Sequence, residues 1–299
     1  MVASYKESSL LSTLWQDYHI YINHNGASAY HSVVGNIVVA AEVASPQLHN
    51  QRHILVYLPP SYASSNRRYP VMYMHDGQNL FDYATSYAGE WGVDETMEKL
   101  GREEGLEAIV VGIPNQGRYR VDEYSPYHTP YLGGGRGDAY LDYLVYTVKP
   151  LIDRDFRTLP GRPQTGMIGS SMGGLITLYG FFRHSETFGF AGVMSPSLWF
   201  AQGAIFETIE AAAFHPGKIY LDAGTRELGS QSHYLTPHAG SRRYYSSVRH
   251  LKRILVRKGY RPVRDLLHVE EKWANHSEVS WGRRLPLALR FFLNEANRE

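Results

Sequence analysis

Apolar residues along the chain recur in two patterns, one typical of strands and the other typical of helices. Short apolar runs rich in β-branched and aromatic residues predict buried strands, and they cover residues 17–22, 31–43, 53–62, 69–74, 108–113, 164–168, 188–194, 218–223 and 266–273. Apolar residues three and four positions apart predict helices over 93–100, 139–156, 175–182, 205–213, 242–258 and 285–292. Strand and helix alternate, which predicts the α/β class with a mostly parallel central sheet and helices on both faces.

The first fifty residues differ from the rest because they contain strand patterns and no helical pattern. We expect them to form antiparallel strands at one edge of the sheet, before the alternating part begins. The length of 299 residues suits one large α/β domain, and no repeat or low-complexity linker interrupts it. The sequence therefore predicts a single domain over residues 1–299, with residues 1–50 as its β-rich edge.

Composition excludes several classes of partner and chemistry. With 30 basic and 29 acidic residues the formal charge is +1, which gives no electrostatic reason to expect a nucleic acid or an anionic membrane surface as partner. The chain has no cysteine, so thiolate nucleophiles, disulfides and cysteine metal sites are impossible. Residues 1–13 lack the pattern of a secretory signal, and no apolar run is long enough to span a membrane, so we expect a cytoplasmic protein.

A Gly-x-Ser-x-Gly pentapeptide centred on Ser171 gives the chain a candidate chemistry, with Gly169 and Gly173 at its ends. In an α/β-hydrolase this motif turns sharply from a strand into a helix, and the strain lifts the serine hydroxyl above the sheet edge. Glycines are needed on both sides because a Cβ there would crowd the strand or the helix. A predicted strand precedes the motif and a predicted helix follows it, so we expect Ser171 to be a nucleophile.

A serine hydroxyl needs a base to remove its proton and an acid to orient that base. In this fold the three residues follow in the order serine, acid, histidine. Glu227 lies in the loop just beyond the predicted strand 218–223, at the sheet edge where α/β proteins assemble their sites. Asp222 competes for the role of the acid but lies inside that strand, so we favour Glu227. The other interpretation of Glu227 is a surface carboxylate paired with Arg226.

Five histidines follow the candidate acid, namely His233, His238, His250, His268 and His276. His250 falls in the predicted helix 242–258 and His268 in the last predicted strand. His233 and His238 fall in a polar loop that no strand end fixes. His276 directly follows the last strand and precedes the last helix, which is where the base is expected. We therefore assign the base to His276.

Two backbone N–H groups are expected to hold the oxyanion of a tetrahedral intermediate. One belongs to Met172, which follows the nucleophile and opens the helix. The other is expected from Gln78, in the loop after the strand 69–74, where Gly77 permits a tight turn. No histidine pairs with a carboxylate at the helical spacing of metal ligands, so we predict neither a metal nor another cofactor.

Several further motifs accompany these residues. They are His-Asp-Gly-Gln-Asn-Leu-Phe-Asp (75–82), Trp-Gly-Val-Asp (91–94), Arg120 with Glu-Tyr-Ser-Pro (123–126), Met-Ser-Pro-Ser-Leu-Trp-Phe (194–200), Gly-Thr-Arg-Glu (224–227), and Asn-His-Ser-Glu (275–278) with Trp281. With them the chain, from about Gly35 onward, resembles the esterase family that includes enterochelin esterases. More distantly, it is similar to feruloyl and acetyl-xylan esterases, esterase D and the mycolyltransferases.

The resemblance implies an α/β-hydrolase fold with a triad of Ser171, Glu227 and His276. It implies that Gln78 and Met172 supply the oxyanion donors. It also implies that Trp199, in the loop after the strand 188–194, borders the substrate pocket.

These observations predict a serine esterase that hydrolyses a small-molecule carboxylic ester through an acyl-enzyme on Ser171. Two alternatives stay open: an acyltransferase that passes the same acyl group to an alcohol, and a non-catalytic binding protein on a hydrolase scaffold. The chain departs from enterochelin esterases because it has a short β-rich start where they carry an N-terminal sandwich domain. It also shows no signal or carbohydrate-binding module like those of secreted plant-wall esterases. The identity of the ester therefore stays open.

Overall fold

A central sheet of nine strands organises the computed structural model, which describes residues 14–24, 30–228 and 239–296. Residues 1–13, in which we predict no secretory signal, lie outside the described residues. The strands of the described part are β1 (Trp15–Asp17), β2 (Asn36–Ser45), β3 (Asn50–Leu58), β4 (Val71–His75), β5 (Ile109–Ile113), β6 (His128–Thr129), β7 (Gly133–Gly134), β8 (Thr165–Ser171), β9 (Phe190–Pro196), β10 (Lys218–Arg226) and β11 (Leu266–Asn275). Its α-helices are α1 (Tyr18–His24), α2 (Val93–Glu104), α3 (Arg120–Glu123), α4 (Gly137–Tyr143), α5 (Lys149–Asp155), α6 (Met172–Arg183), α7 (Ala204–Ala211), α8 (Ala239–Lys258) and α9 (Glu278–Ala296).

The direction of the strands confirms the predicted mostly parallel sheet with antiparallel N-terminal strands. The spatial order in the nine-stranded sheet is β1-β2-β3-β5-β4-β8-β9-β10-β11, whereas β6 and β7 pair separately with each other. Strands β1, β2, β3 and β5 pair antiparallel, whereas β5, β4, β8, β9, β10 and β11 pair parallel. The carboxyl ends of the parallel strands therefore lie along one edge of the sheet, where open α/β sheets form their ligand sites.

Helices cover both faces of the sheet, as the pattern predicts. Neighbouring residues of a strand point to opposite faces, and in β4 Val71 and Tyr73 join one apolar cluster while Met72 and Met74 join another. Helices α4 to α8 complete the first cluster, and α1, α2 and α9 complete the second. Burial on both faces explains why the parallel strands are continuous apolar runs. Within the described ranges, no helix has the length and apolarity needed to cross a membrane.

The predicted strand over 17–22 is wrong. Strand β1 ends at Asp17 and α1 follows, because Asp17 Oδ1 accepts the N–H groups of His19 (2.9 Å) and Ile20 (3.2 Å) and caps the first helical turn. Tyr18 and Ile22, four residues apart, are buried on one face of the helix. Aromatic and β-branched residues suggested a strand, but their tertiary contacts override that weak preference.

The strand predicted over 31–43 begins later than the pattern indicates, because polar contacts occupy its first residues. Strand β2 starts at Asn36, whereas Ser32 Oγ donates to Glu90 Oε2 (2.8 Å) and the Val34 N–H donates to Asp94 Oδ2 (2.7 Å). Side-chain acceptors thus replace strand pairing there and join this segment to the start of α2.

The long helix predicted over 139–156 is divided into α4 and α5 by a π-helical turn over Leu144–Val148. Pro150 lies in the first turn of α5, and because it has no N–H the regular hydrogen-bond ladder cannot continue through it. The side chains of Tyr140 and Val148 are both buried, so the apolar face crosses the junction. That continuity is the reason why the spacing predicts one helix.

A buried ion pair joins the loop between β5 and α4 to the sheet. Arg52, on β3, donates from Nη1 and Nη2 to the two carboxylate oxygens of Glu123, each at 2.9 Å. The two side chains are 1% and 0% exposed. Because Asn115, Arg118 and Arg120 of this loop line the pocket at the parallel strand ends, the pair also positions one wall of that pocket.

We expect Arg52→Met to lower the free energy of unfolding by about 3–5 kcal/mol, because it leaves the Glu123 carboxylate buried without its cation. Urea denaturation followed by tryptophan fluorescence measures the change. Arg102→Met is the control, since it breaks a pair with Glu98 in which the arginine side chain is 72% exposed, and it is expected to cost less than about 1 kcal/mol. Equal losses for the two variants would contradict this role of the buried pair.

Candidate active site

Ser171 lies at the sharp turn where β8 ends and α6 begins. Its backbone has φ 57° and ψ −121°, a conformation that residues other than glycine rarely adopt. Of the two flanking glycines, Gly169 is the one that the turn requires. A Cβ on Gly169 would lie 2.6 Å from the carbonyl carbon of Gly173, whereas a Cβ on Gly173 would meet His75 Cβ at 3.4 Å, an ordinary contact distance, so the predicted crowding holds only for Gly169. The strand, turn and helix predicted around Ser171 therefore follow in that order.

Glu227 and His276 meet at the carboxyl ends of the adjacent parallel strands β10 and β11. Glu227 Oε2 lies 2.6 Å from His276 Nδ1. The glutamate side chain is fully buried, whereas 26% of the histidine side chain is exposed. When the carboxylate is ionised it can only accept, so Nδ1 is then the donor of this contact and Nε2 of a neutral imidazole is left as an acceptor.

Asp222, the competing acid, lies inside β10 and is fully buried. Its Oδ2 accepts from Arg284 Nε at 2.8 Å, and its Oδ1 accepts the N–H of Ser195 at 2.9 Å. Burial raises the pKa of Asp222, and the charge of Arg284 offsets only part of that rise. The structure therefore brings His276 together with Glu227 rather than with Asp222.

The remaining candidate histidines have other surroundings or lie outside the described residues. His250 lies on α8 and packs against a phenylalanine ring of α7 at 5.0 Å. His268 lies on β11 with Nε2 3.5 Å from Glu270 Oε1, and burial lowers the pKa of His268. His233 and His238 fall in the range 229–238, which the structure does not describe.

The turn after β9 contacts the nucleophile through a residue that sequence reasoning missed. Ser197 Oγ lies 3.1 Å from Ser171 Oγ, and the Ser197 N–H donates to the Ser171 carbonyl at 2.9 Å. Trp199, which we predict at the pocket border, has 55% of its surface exposed and does not line the pocket that the described residues form. The sequence predicts that both residues lie in the loop after β9, but it does not predict which way their side chains point. It therefore gave no reason to expect Ser197 rather than Trp199 beside the nucleophile.

Ser171 and His276 open onto one pocket of about 770 Å³. Trp91 and Trp281, with ring centroids 5.6 Å apart, supply apolar surface, and Trp281 also packs edge-on against the His276 ring at 4.9 Å. Polar side chains supply much of the remaining wall: Asp76, Gln78, Asn79, Asn115, Arg118, Arg120 and Glu278. A pocket with this lining suits a small molecule that carries both apolar and polar groups.

Both predicted oxyanion donors lie at the starts of helical turns. Met172 is the first residue of α6, and Gln78 belongs to the 3-10 turn Gly77–Asn79 that follows β4. The first N–H groups of a helix have no intrahelical acceptor, so they are available to a ligand. Gln78 lines the pocket with Ser171, and its Oε1 accepts the N–H of Asn115 at 3.1 Å. That bond joins the turn to the loop after β5.

An ion pair supports the turn that carries Gln78. Arg120 Nε and Nη2 donate to Asp76 Oδ1 and Oδ2 at 2.7 and 2.8 Å, and Asn115 Nδ2 donates to Oδ1 at 2.6 Å. Burial acts to raise the pKa of Asp76, but the charge and hydrogen bonds of Arg120 outweigh it, so this pKa lies below its ordinary value. Asp76 and Arg120 both belong to motifs that carry the esterase resemblance, but nothing in the sequence predicted that residues 44 positions apart would pair.

Two further titratable groups lie in or beneath the pocket. Glu278, the first residue of α9, lines the pocket and is 8% exposed. Burial raises the pKa of Glu278, and the nearby carboxylate of Asp76 acts in the same direction. Burial lowers the pKa of His75 to about 4, so this histidine is neutral at pH 7, with Nδ1 2.7 Å from the Tyr140 hydroxyl.

Three carboxylates at the start of α2 form the group that could hold a metal ion in the described part of the chain. The ligand oxygens of Glu90, Asp94 and Glu95 lie within 4.8 Å of one another. Burial raises the pKa of Asp94 to about 9, and Glu95 contributes to the rise. Negative side chains are also favoured at a helix start without any metal, because the N–H groups there are partly positive. None of the three residues lines the pocket.

The lowered pKa of Asp76 makes a prediction about stability and pH. Because the folded-state pKa lies below the unfolded value of about 3.9, the pair stabilises the fold above that value and is lost as the pH falls through the folded pKa. We expect Asp76→Asn to lower the free energy of unfolding by about 2 kcal/mol at pH 7, with a gap that shrinks below about pH 4. Urea denaturation across this pH range measures the gap.

Asp138→Asn is the matched control, because Asp138 pairs with Arg183 while both side chains are about half exposed, at 54% and 51%. This variant is expected to change the free energy of unfolding by less than about 1 kcal/mol at every pH. A gap for Asp76→Asn that stays constant from pH 7 to below pH 4 would contradict the assignment of the stability to the ionised carboxylate.

Comparisons with known proteins show a family for this chain and agree with its fold. The family model described as "Putative esterase" matches residues 45–292. The uncharacterized protein YbbA of Bacillus subtilis is 30% identical over 185 residues, which are 59% of this chain and 69% of that protein. The siderophore triacetylfusarinine C esterase of Aspergillus fumigatus is 28% identical over 151 residues, 48% of this chain and 49% of that protein.

A solved structure with the same fold is the IroE-like serine hydrolase from Shewanella oneidensis. Its TM-score with this chain is 0.65 at 20% identity, and the match covers 86% of this chain and 79% of that one. At this identity the match shows the α/β-hydrolase fold alone. Since the family model covers most of the sequence, from residue 45 to residue 292, the chain belongs to the family of putative esterases.

Proposed function

We propose that this chain is a serine esterase that hydrolyses a small-molecule carboxylic ester through an acyl-enzyme on Ser171. The observation that carries the proposal is the 2.6 Å contact between Glu227 Oε2 and His276 Nδ1, at the sheet edge where Ser171 sits on a strained turn. The chain order of serine, acid and histidine is that of α/β-hydrolases. Membership of the putative esterase family supports ester hydrolysis as the reaction class.

In the first half-reaction His276 Nε2 takes the proton of Ser171 Oγ while that oxygen attacks the carbonyl carbon of the ester. The carbonyl electron pair moves to its oxygen, and the N–H groups of Gln78 and Met172 stabilise the oxyanion. The C–O bond to the alcohol then breaks as the imidazolium gives its proton to the departing oxygen. The alcohol leaves, and the acyl group stays on Ser171. The Ser197 hydroxyl, 3.1 Å from Ser171 Oγ, can act as the donor of that contact while the Ser171 hydroxyl donates to the imidazole.

In the second half-reaction water replaces the alcohol. His276 takes a proton from the water while its oxygen adds to the acyl carbon, and the tetrahedral intermediate then expels Ser171 Oγ, which recovers the proton from the imidazolium. Glu227 stays ionised in both halves. It keeps the imidazole in the tautomer that has a free Nε2, and it stabilises the imidazolium each time it forms.

The residues that line the pocket favour esters that carry both apolar and polar groups. Trp91 and Trp281 offer apolar contact, whereas Arg118 and Glu278 offer charged groups to a polar part of the ligand. The matched region of the Aspergillus fumigatus relative belongs to an esterase of a siderophore, triacetylfusarinine C. We propose an organic ester that carries both polar and apolar groups, and we assign no individual siderophore.

Hydrolysis of p-nitrophenyl acetate by purified variants tests the proposed triad. We expect Ser171→Ala to lower kcat by roughly 10⁴-fold or more, and Glu227→Gln to lower it severely but less than the serine variant does. Both variants are expected to keep the circular dichroism spectrum of the wild type. A folded Ser171→Ala protein with more than residual activity would refute the assignment of the nucleophile.

Asp222→Asn is the comparison that separates the two candidate acids. Asp222 accepts from Arg284 and Ser195 rather than from His276, so we expect the folded variant to keep more activity than Glu227→Gln. If Asp222→Asn proves the more damaging of the two while its fold survives, Glu227 is the wrong acid.

A further inference from the structure

A chain of buried hydrogen bonds reaches Glu227 from the side away from the histidine. Arg284 Nη2, on α9, donates to Ser195 Oγ at 2.9 Å, and Ser195 Oγ donates to Glu227 Oε1 at 2.6 Å. Arg284, Ser195 and Glu227 are 2%, 0% and 3% exposed. None of the three lines the pocket, so they do not touch a substrate there. Their connection is to the acid of the proposed triad.

The chemistry of the three groups fixes the direction of every proton in this chain. A guanidinium has only donors, and an ionised carboxylate has only acceptors. The Ser195 hydroxyl lies between them with one proton, so it must accept from Arg284 and donate to Glu227. Only one orientation satisfies both neighbours, and Glu227 Oε1 therefore receives a donor whose direction cannot reverse.

Asp222 holds the arginine and the serine in place. Its Oδ2 accepts from Arg284 Nε at 2.8 Å, and its Oδ1 accepts the Ser195 N–H at 2.9 Å. Ser195 has a φ of 36°, an unfavourable value for a residue with a side chain. Backbone strain of this kind persists where surrounding bonds over-determine the conformation, and the Tyr244 hydroxyl adds another such bond by donating to the Ser195 carbonyl at 2.7 Å.

We propose that Ser195 and Arg284 are positioning residues that act on His276 through Glu227. This inference rests on the proposed function, because it assigns a role relative to the proposed triad. Arg284 orients the Ser195 hydroxyl, and that hydroxyl in turn donates to Glu227 Oε1 and holds the carboxylate in one orientation. Glu227 Oε2 is then held in one direction as the acceptor of the His276 Nδ1 proton, and Nε2 stays free to accept the proton of Ser171.

Other titratable groups also lie near Glu227 and His276, and a variant that tests the proposal must leave their charges unchanged. The Tyr244 ring on α8 lies 5.6 Å from the His276 ring. Glu278, on α9, interacts electrostatically with His276. On the far side, Arg284 Nη1 also donates to Glu271 Oε2 of β11 at 3.0 Å. A useful variant therefore removes the Ser195 hydroxyl and leaves all of these charges in place.

Ser195→Ala meets that requirement, because Arg284 keeps its bonds to Asp222 and Glu271. We expect kcat/KM for p-nitrophenyl acetate to fall about tenfold to a hundredfold, the range for losing one hydrogen bond to a charged group. The loss should appear mainly in kcat. We also expect the acidic limb of the pH profile of kcat/KM to move to higher pH, because a carboxylate without this donor favours the imidazolium form more strongly.

The control is Ser45→Ala, which removes a different buried hydroxyl. Ser45 Oγ accepts the Leu48 N–H at 3.2 Å, and Ser45 lies at the end of β2, near the opposite edge of the sheet. It is expected to keep the wild-type kcat/KM and pH profile. If Ser195→Ala only lowers the melting temperature and the folded enzyme keeps the wild-type profile, the network is merely structural and our inference is overturned.

Failure of the proposed function is a separate outcome. If wild-type hydrolysis is absent or does not depend on Ser171, the triad itself is wrong, whatever Ser195→Ala does. If Ser195→Ala does not fold, Ser195→Cys replaces it in the same assay. A thiol fills the space but donates weakly, so we expect a smaller loss and a shift of the acidic limb in the same direction. An unchanged profile for Ser195→Cys would overturn the inference.

Discussion

A buried carboxylate must be matched by donors, and three hydrogen bonds to Glu227 meet that constraint while joining the parts of the site. The Gly224 N–H and the Ser195 hydroxyl reach Oε1 at 2.5 and 2.6 Å, and His276 Nδ1 lies 2.6 Å from Oε2. These donors come from β10, from β9 and from the loop after β11. Because an uncompensated buried charge is costly, the same bonds that orient the imidazole also join these strand ends.

A partly buried ion pair performs a similar task at another wall of the pocket. Asp76 and Arg120 fix the turn before Gln78 to the loop after β5, and the Arg52–Glu123 pair anchors that loop to β3. Each arginine uses its forked donors on both oxygens of one carboxylate, which gives direction as well as attraction. These two ion pairs therefore position the segments that form this wall of the pocket.

The parts of the site that were predictable from the sequence are those fixed by chain order. A parallel sheet places its carboxyl ends together, so a serine, an acid and a histidine that each follow a strand were expected to share one edge. The contacts of Ser195 and Arg284 were not predictable, because a helix residue and a strand residue 89 positions apart give no local signal. The helix at Tyr18 was not predicted for a related reason, since tertiary contacts override the local preference of its residues.

The most direct measurement of the central claim is the intact mass of the protein after exposure to a fluorophosphonate, with Ser171→Ala measured beside it. Such a probe adds to a serine only where a neighbouring base has activated the hydroxyl. We predict a single adduct on the wild type and none on the variant. A folded wild type without an adduct, or an equal adduct on both proteins, would contradict an activated nucleophile at Ser171.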